Sequence, residues 1–464
     1  MGIFGVVLSL VLLMYLAYRG ISVLILAPLL ALLAVIFAGG LPIMATYTQV
    51  FMQSLGGYLI RFFPLFLLGA IFGKLMDDSG CARAIAHTIV GKLGKEQAIL
   101  AIVLACGILT YGGVSLFVAA FAVFPIAAAL FVEANLPKRL IPATIALGSF
   151  TFTMTALPGT PQIQNAIPTP YFGTTVWAAP GLGVIAAVIM FTFGVLWLKS
   201  RAAAAARRGE GYGEQDEFVT HDPQAEAEHH ELPSFAVAIT PIVLVIVSSL
   251  IMTYVWSPFG PAEYLAEEKY GETSIDNVQG LWTIILALAL AIVVLIAMNY
   301  QRLVDLKKSV NDGTMGSLLP IFNTSSEVGY GSVIASLPAF LIIRDHVTGI
   351  SENPLVSEAI AVNVLAGVTG SASGGMSIAL EALGAQYLEM AEQVGISPEL
   401  LHRVATLSSG GFDCLPHNGA VITLLAITGL THVKSYFDIF VVAVAIPVLA
   451  LITVIVLGST FGAF

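Results

Sequence analysis

The chain is 464 residues long, 57% hydrophobic and only 10% charged, with a mean hydropathy of +0.91. A soluble domain carries about 25% charged residues, so the sequence reads as a polytopic membrane protein whose apolar surplus faces lipid. Its formal net charge of −10 comes without any basic stripe, which argues against a nucleic-acid partner.

Residues 2–17 are apolar but lack a basic leader and a cleavage site, and a second apolar run follows Arg19. They are therefore expected to be a first transmembrane helix rather than a signal peptide. Arg61 opens a further apolar run and is expected to snorkel to an interface. Lys95 and Lys138 then bracket an apolar stretch of about 40 residues. Short basic loops stay on the cytoplasmic side, so a stretch with both ends there must go in and return. This predicts a hairpin over residues 98–132 with its tip at Thr110-Tyr111-Gly112-Gly113-Val114-Ser115. Glycine permits a tight turn and close ligand approach, and freed N–H groups at the next helix start suit an anion. Glycine-mediated helix packing is the alternative.

Residues 155–165 contain Leu157-Pro158-Gly159-Thr160-Pro161, a sequence that unwinds a helix and frees carbonyls. Thr155, Gly159 and Thr160 lie in this break, and Gln162 and Asn165 share a face if the helix resumes. A surface loop is the competing reading. Residues 200–234 are polar, basic at Arg201, Arg207 and Arg208 and then acidic, so they form a cytoplasmic linker. Its His221, His229 and His230 show no metal-ligand spacing. Residues 1–199 thus form a first half.

Residues 235–255 and 281–298 carry no charge and are long enough to span. They belong to a connecting pair over 235–310, with an acidic external loop at 258–277. The second half, 311–464, starts from cytoplasmic Lys307-Lys308. Residues 318–343 are expected to cross and deliver Arg344 and Asp345 outside. Inside that crossing sits Asn323-Thr324-Ser325-Ser326-Glu327, where Glu327 is a proton-carrying candidate or a neutral buried acid. A second hairpin is expected over 356–390, entering from the outer face. Its tip holds Ser371, Ser373, Gly374, Gly375 and Ser377, with Glu381 one turn on as a proton site or a surface residue. A second break, 408–419, contains Asp413-Cys414-Leu415-Pro416-His417-Asn418, with a cytoplasmic-surface turn as the competing reading. An ionisable residue inside a membrane is a functional hypothesis by default, so Asp413 and His417 join Glu327 as coupling candidates. The last span, 438–457, leaves both termini periplasmic.

Two halves with similar interruptions and opposite orientation make an inverted repeat, and such paired interruptions point to a transporter binding site. The predicted class is an all-α polytopic membrane protein with two inverted-topology repeats, re-entrant helical hairpins and broken helices. No phosphate-binding loop, hydrolase elbow or zinc motif is present, and Cys81, Cys106 and Cys414 read as packing residues. No cofactor and no enzyme activity are expected.

The run Leu68-Gly69-Ala70-Ile71-Phe72-Gly73-Lys74-Leu75-Met76, then Ser79-Gly80, the first hairpin and the two proline-containing breaks resemble the gluconate permease (GntP) family of the ion transporter superfamily. The resemblance implies a proton-coupled importer of small hydroxy acids such as gluconate, related sugar acids, D-serine or 3-hydroxybutyrate, with a hydroxybutyrate-type member among the readings. It further implies a bacterial inner-membrane homodimer with an elevator mechanism. On this expectation Ser115, Thr160, Ser371, Ser373, Ser377 and backbone N–H groups hold a carboxylate. Gln162, Asn165 and Asn418 read its hydroxyl, and Tyr111 and His417 complete the set. Sodium coupling, a channel and an intramembrane enzyme remain the alternatives.

Overall fold

This computed structural model describes residues 2–19, 21–213, 232–260, 262–340, 342, 351, 353–416 and 418–464. The readings placed on His221, His229, His230, Arg344, Asp345 and His417 lie outside those residues.

Among the described residues every regular element is helical. In chain order they are α1 (Gly2–Tyr18), α2 (Val23–Ala38), α3 (Ile43–Asp78), α4 (Cys81–Leu93), α5 (Ala98–Tyr111), α6 (Leu116–Glu133), α7 (Ile141–Ser149) and α8 (Pro180–Arg207). After the linker come α9 (Phe235–Tyr254), α10 (Ile275–Asn299), α11 (Leu306–Ser336), α12 (Pro354–Thr369), α13 (Ala372–Val394), α14 (Pro398–Ser409), α15 (Gly419–Thr428) and α16 (His432–Phe461). Most are apolar all round, which suits helices that meet both protein and lipid. Six are long and apolar enough to cross a bilayer, and a bent pair meeting at 106° (Cys81–Leu93 with Lys95–Tyr111) supplies a further candidate. The expected spans at 235–255 and 281–298 are α9 and α10. The crossing expected at 318 begins earlier, at Leu306, because Asp305 caps the helix by accepting from the Lys308 N–H at 2.8 Å.

The chain has two distinct faces. On one, next to the linker, Arg139 donates to Glu210 and Asp438, Arg201 donates to Asp438, Lys95 pairs with Glu133, and Lys199 reaches Gln97. The Arg139 guanidinium holds the Glu210 carboxyl below its ordinary range. On the far face the Gly181 N–H donates to the Phe464 carbonyl at 2.8 Å, the Ala179 N–H reaches Glu399, and Asn353 reaches Ser459. Both ends of the α5–α6 hairpin therefore sit at the linker face. The α12–α13 hairpin starts from the far face, beside Ser459. The two re-entrant hairpins enter from opposite sides.

Packing repeats under the same exchange. The α1–α2 contact recurs as α9–α10, α2–α11 as α10–α3, α5–α7 as α12–α14, and α6–α7 as α13–α14. Helices α3 and α11 pack on each other, as do α8 and α16. This is the pattern of two repeats related by an in-plane pseudo-two-fold axis. Cys81, Cys106 and Cys414 are free and buried, as packing residues should be.

Candidate functional site

Each hairpin stops in mid-structure at a tight turn, and each turn uses a glycine with positive φ, Gly113 at 95° and Gly370 at 64°. Ser115 then caps α6, accepting from Phe117 N–H, and Ser371 caps α13, accepting from Gly374 N–H at 3.0 Å. The second tip is thus narrower than expected. Ser373, Gly374, Gly375 and Ser377 lie in the first turns of α13 rather than in the turn itself. Gly375 is there because the backbone of Ala366 on α12 occupies the space a Cβ would need. At Gly375, close helix packing is what the residue serves.

The first break is wider than residues 155–165. Helix α7 ends at Ser149, and single turns at Phe152–Thr155, Ile163–Ala166 and Thr169–Phe172 follow before α8. Tip and break are tied by side chains. Gln162 donates its amide to the carbonyls of Thr110 at 2.7 Å and Val114 at 3.2 Å. Thr160 donates to the Tyr111 carbonyl at 3.3 Å, and the Tyr111 hydroxyl donates to the Pro158 carbonyl at 2.8 Å. In the second half Asn418 donates to the Gly370 carbonyl at 2.8 Å while its own oxygen accepts from Ala420 and Val421 N–H. Gln162 and Asn418 occupy the same place, the residue before a resumed helix, and both reach the nearest hairpin tip. Their amide donors are committed to holding tip to break.

The freed carbonyls are also accounted for. Arg403 of α14 is fully buried and donates to the Ala178 carbonyl at 2.6 Å, the Ala156 carbonyl at 3.1 Å and the Asn165 side-chain oxygen at 3.3 Å. Asn165 in turn donates to the Thr160 and Val176 carbonyls. His402 bridges Thr174 and Asn165. Across the molecule, Tyr436 donates to the Cys414 carbonyl at 3.0 Å, and His432 lies 2.8 Å from the Pro416 carbonyl. The breaks meet where Gly410 lies against the Thr155 side chain.

What stays unpartnered among the described residues is a set of oxygens. Glu327 lies against Gly374, and its Oε2 has no hydrogen-bond partner, nor do Asn323 Oδ1 and Ser326 Oγ on the same helix. Thr324 and Ser373 hydroxyls stand 3.4 Å apart, joining this stretch to tip two. Ser377 donates to the Tyr58 hydroxyl at 3.4 Å. At the second break Asp413 Oδ1, Ser408 Oγ and Asn363 Oδ1 are likewise unpartnered. So are both carboxylate oxygens of fully buried Glu358.

The structure therefore gathers Tyr111, Gly112, Gly113, Ser115, Thr160, Gln162 and Asn165 at one junction and Ser371, Ser373, Ser377, Glu327 and Asn418 at another. Sequence reasoning passed over Arg403, His402, Glu358 and Tyr58. The first three carried a readable signal, since each is ionisable within an apolar stretch. Tyr58 carried none. Glu381 lines a cleft on α13 and accepts from the Tyr171 hydroxyl at 2.9 Å. Arg61 is exposed and carries its guanidinium over the Tyr171 ring, 5.4 Å from the centroid.

Comparison with known proteins bears on this arrangement. The profile of the GntP family permeases matches residues 1–459. An uncharacterized transporter, YxjC, of Bacillus subtilis is 46% identical over 98% of both chains. A gluconate permease of Pseudomonas aeruginosa is 24% identical over 87% of this chain and 83% of its own. The high-affinity gluconate transporter of Escherichia coli is 32% identical over 30% of this chain and 31% of its own. Among solved structures, the Alcanivorax borkumensis YdaH transporter superposes with a TM-score of 0.56 at 12% identity, covering 88% of this chain and 87% of that one.

Proposed function

This chain belongs to the GntP family of permeases and is a multi-pass membrane transporter, and from that premise we propose that it imports a small hydroxy-carboxylate together with protons. The observation that carries this reading is the pair of unpartnered buried carboxylate oxygens, on Glu327 and on Asp413, where hairpin two and break two interrupt the helices. A carboxyl buried without a cationic partner must be neutralised. It exchanges its proton with water only when the conformation opens one side or the other. The substrate carboxylate is held by freed N–H groups at the helix starts after Ser115 and Ser371, which suit an anion. Gluconate transport by relatives from Pseudomonas aeruginosa and Escherichia coli supports the substrate class.

The side of each face follows from charge. Arg201, Arg207, Arg208, Arg302, Lys307 and Lys308 all lie toward the linker, so that face is cytoplasmic. Alternating access proceeds as an elevator. Helices α1–α3 and α9–α11 form the scaffold, and the hairpins with α7, α8 and α14–α16 form the moving body, in a homodimer.

A second reading rests on the same stretch of α11. Asn323 Oδ1, Ser326 Oγ and Glu327 Oε2 are three unpartnered oxygens within five residues, a hard-ligand set that also suits Na⁺. Proteoliposome uptake of gluconate, 3-hydroxybutyrate, lactate and D-serine under an imposed pH gradient or an imposed Na⁺ gradient separates the two. Accumulation driven by the pH gradient alone is expected. Accumulation driven by Na⁺ alone overturns proton coupling, and accumulation of none of the four overturns the substrate class.

A further inference from the structure

We propose that a cleft between α3, the Thr169–Phe172 turn and α13 is an access subsite that selects monocarboxylates, with Arg61 binding the carboxylate and Glu381 rejecting a second negative charge. The inference rests on the transport reading above and adds a specificity site apart from the hairpin tips.

The cleft has a volume of about 240 Å³ and is lined by Gln53, Ser54, Tyr58 and Arg61 of α3, with Tyr171 and Glu381 opposite. That is below the usual 300–1,000 Å³ of small-molecule pockets, so it suits a compact acid. Glu381 is the tenth residue of α13, which puts it about 13 Å from the hairpin tip at 1.5 Å per residue. Gly384, nearly one turn on, stands beside Tyr171. The cleft therefore lies between tip two and the far face, on the route a substrate takes from that side.

Its two charges are held apart by one side chain. The Tyr171 hydroxyl donates to Glu381 at 2.9 Å, and the Tyr171 ring lies under the Arg61 guanidinium at 5.4 Å. A guanidinium held over a ring still has its N–H edge for an anion. That edge is the fork that takes a carboxylate through two parallel hydrogen bonds. No carboxylate among the described residues forms a salt bridge with Arg61. Ser54 and Gln53 lie seven and eight residues before Arg61, on the same face of α3, and offer hydroxyl and amide groups to a substrate hydroxyl. The floor is Tyr58, whose hydroxyl accepts from Ser377 at 3.4 Å. Tyr58 thus separates the cleft from the first turns of α13, where Glu327 meets Gly374. A monoanion arriving at Arg61 leaves Glu381 facing its neutral end. A dicarboxylate of similar length brings a second anion toward Glu381, and like charges brought together discriminate against it.

The test uses the full chain in proteoliposomes, with labelled gluconate and 3-hydroxybutyrate as probes and unlabelled malate as the competing dicarboxylate. Arg61→Ala is expected to raise the half-saturating concentration of the transported acid about tenfold or more, with a smaller change in maximal rate. Arg61→Lys is expected to restore only part of that, because an ammonium lacks the fork. Glu381→Gln is expected to let malate compete about tenfold better, read as its half-inhibiting concentration relative to the half-saturating concentration of the monocarboxylate in the same variant. If the wild-type protein accumulates neither probe, the transport reading itself fails and the subsite with it. Wild-type uptake with an unchanged half-saturating concentration in both Arg61 variants overturns the carboxylate anchor. Malate competition unchanged in Glu381→Gln overturns the charge filter. A loss in Arg61→Ala that disappears when the vesicle lipids are changed from anionic to neutral assigns Arg61 to lipid headgroups and also overturns the proposal.

Discussion

The residues that tell most about this molecule are the ones that close the accounts opened by its breaks. Interrupting a helix inside a bilayer leaves carbonyls with no water to bond, each costing several kcal/mol. Arg403 is the largest such compensation. A guanidinium with five donors spans the Ala156 and Ala178 carbonyls and the Asn165 amide at once. No carboxylate among the described residues sits within salt-bridge distance of it, although Glu399 one turn away contributes attraction. Replacing it with methionine leaves two buried carbonyls without donors, at about 1–3 kcal/mol each. Arg403→Met is therefore expected to lower the thermal midpoint of the detergent-purified protein by several degrees, and Arg403→Lys to recover only part. A midpoint equal to wild type in both would show that other donors reach these carbonyls. Gln162 and Asn418 do the same work at the hairpin tips. Their donors are used on the protein backbone, so the hydroxyl of a substrate must find others.

At the scale of elements, the sequence made the interruptions legible and left their internal geometry hidden. Hairpins bracketed by Lys95 and Lys138, and by the polar residues around 370–377, were readable because basic ends fix sidedness and small polar residues mark a turn. Where the second turn falls was not readable. Gly370, Gly374 and Gly375 look alike in sequence, yet only Gly370 has positive φ while Gly375 lies flush against Ala366. The difference depends on the neighbouring helix. Gly375→Ala is accordingly expected to push α12 and α13 apart, at about 1–3 kcal/mol for an overpacked contact. Uptake should be lost while α5 and α6 remain folded, as read by hydrogen exchange over each hairpin. Equal protection of α12 and α13 in variant and wild type would mean the arms absorb the methyl group. The first break shows the same limit. Pro158 and Pro161 announced it, but its start at Ser149 follows from Thr151, whose φ of −115° and ψ of −113° leave the helical range without any proline nearby.

At the scale of the whole molecule, the inverted repeat was legible from paired motifs and loop charge, whereas the cross-links between halves were not. Arg403 in the second half serves the first break, and Asp438, nearly buried, holds Arg139 and Arg201 together at the linker face. These long-range ties join α7, α8, α14 and α16 into one body. By contrast, Gly112 at tip one lies against the apolar side chain of Ile242 on α9 and Gly113 comes near Leu288 on α10, with the Trp177 indole donating to Ser249 of α9 at 3.1 Å. A mostly apolar contact crossed by few hydrogen bonds slides more readily than a tied network, which must break many. If the hairpins move against α9 and α10 during transport, a disulfide across the sliding contact must stop the cycle. A cysteine pair at positions 112 and 242 is expected to cross-link under mild oxidation and to block uptake, with recovery on reduction. A pair at 400 and 458, where Gly458 packs against Leu400 within the tied body, is expected to cross-link with uptake retained. Blocking by both pairs, or by neither despite complete cross-linking, would mean that the boundary of the moving body lies elsewhere, because a rigid unit tolerates internal links and a sliding interface does not.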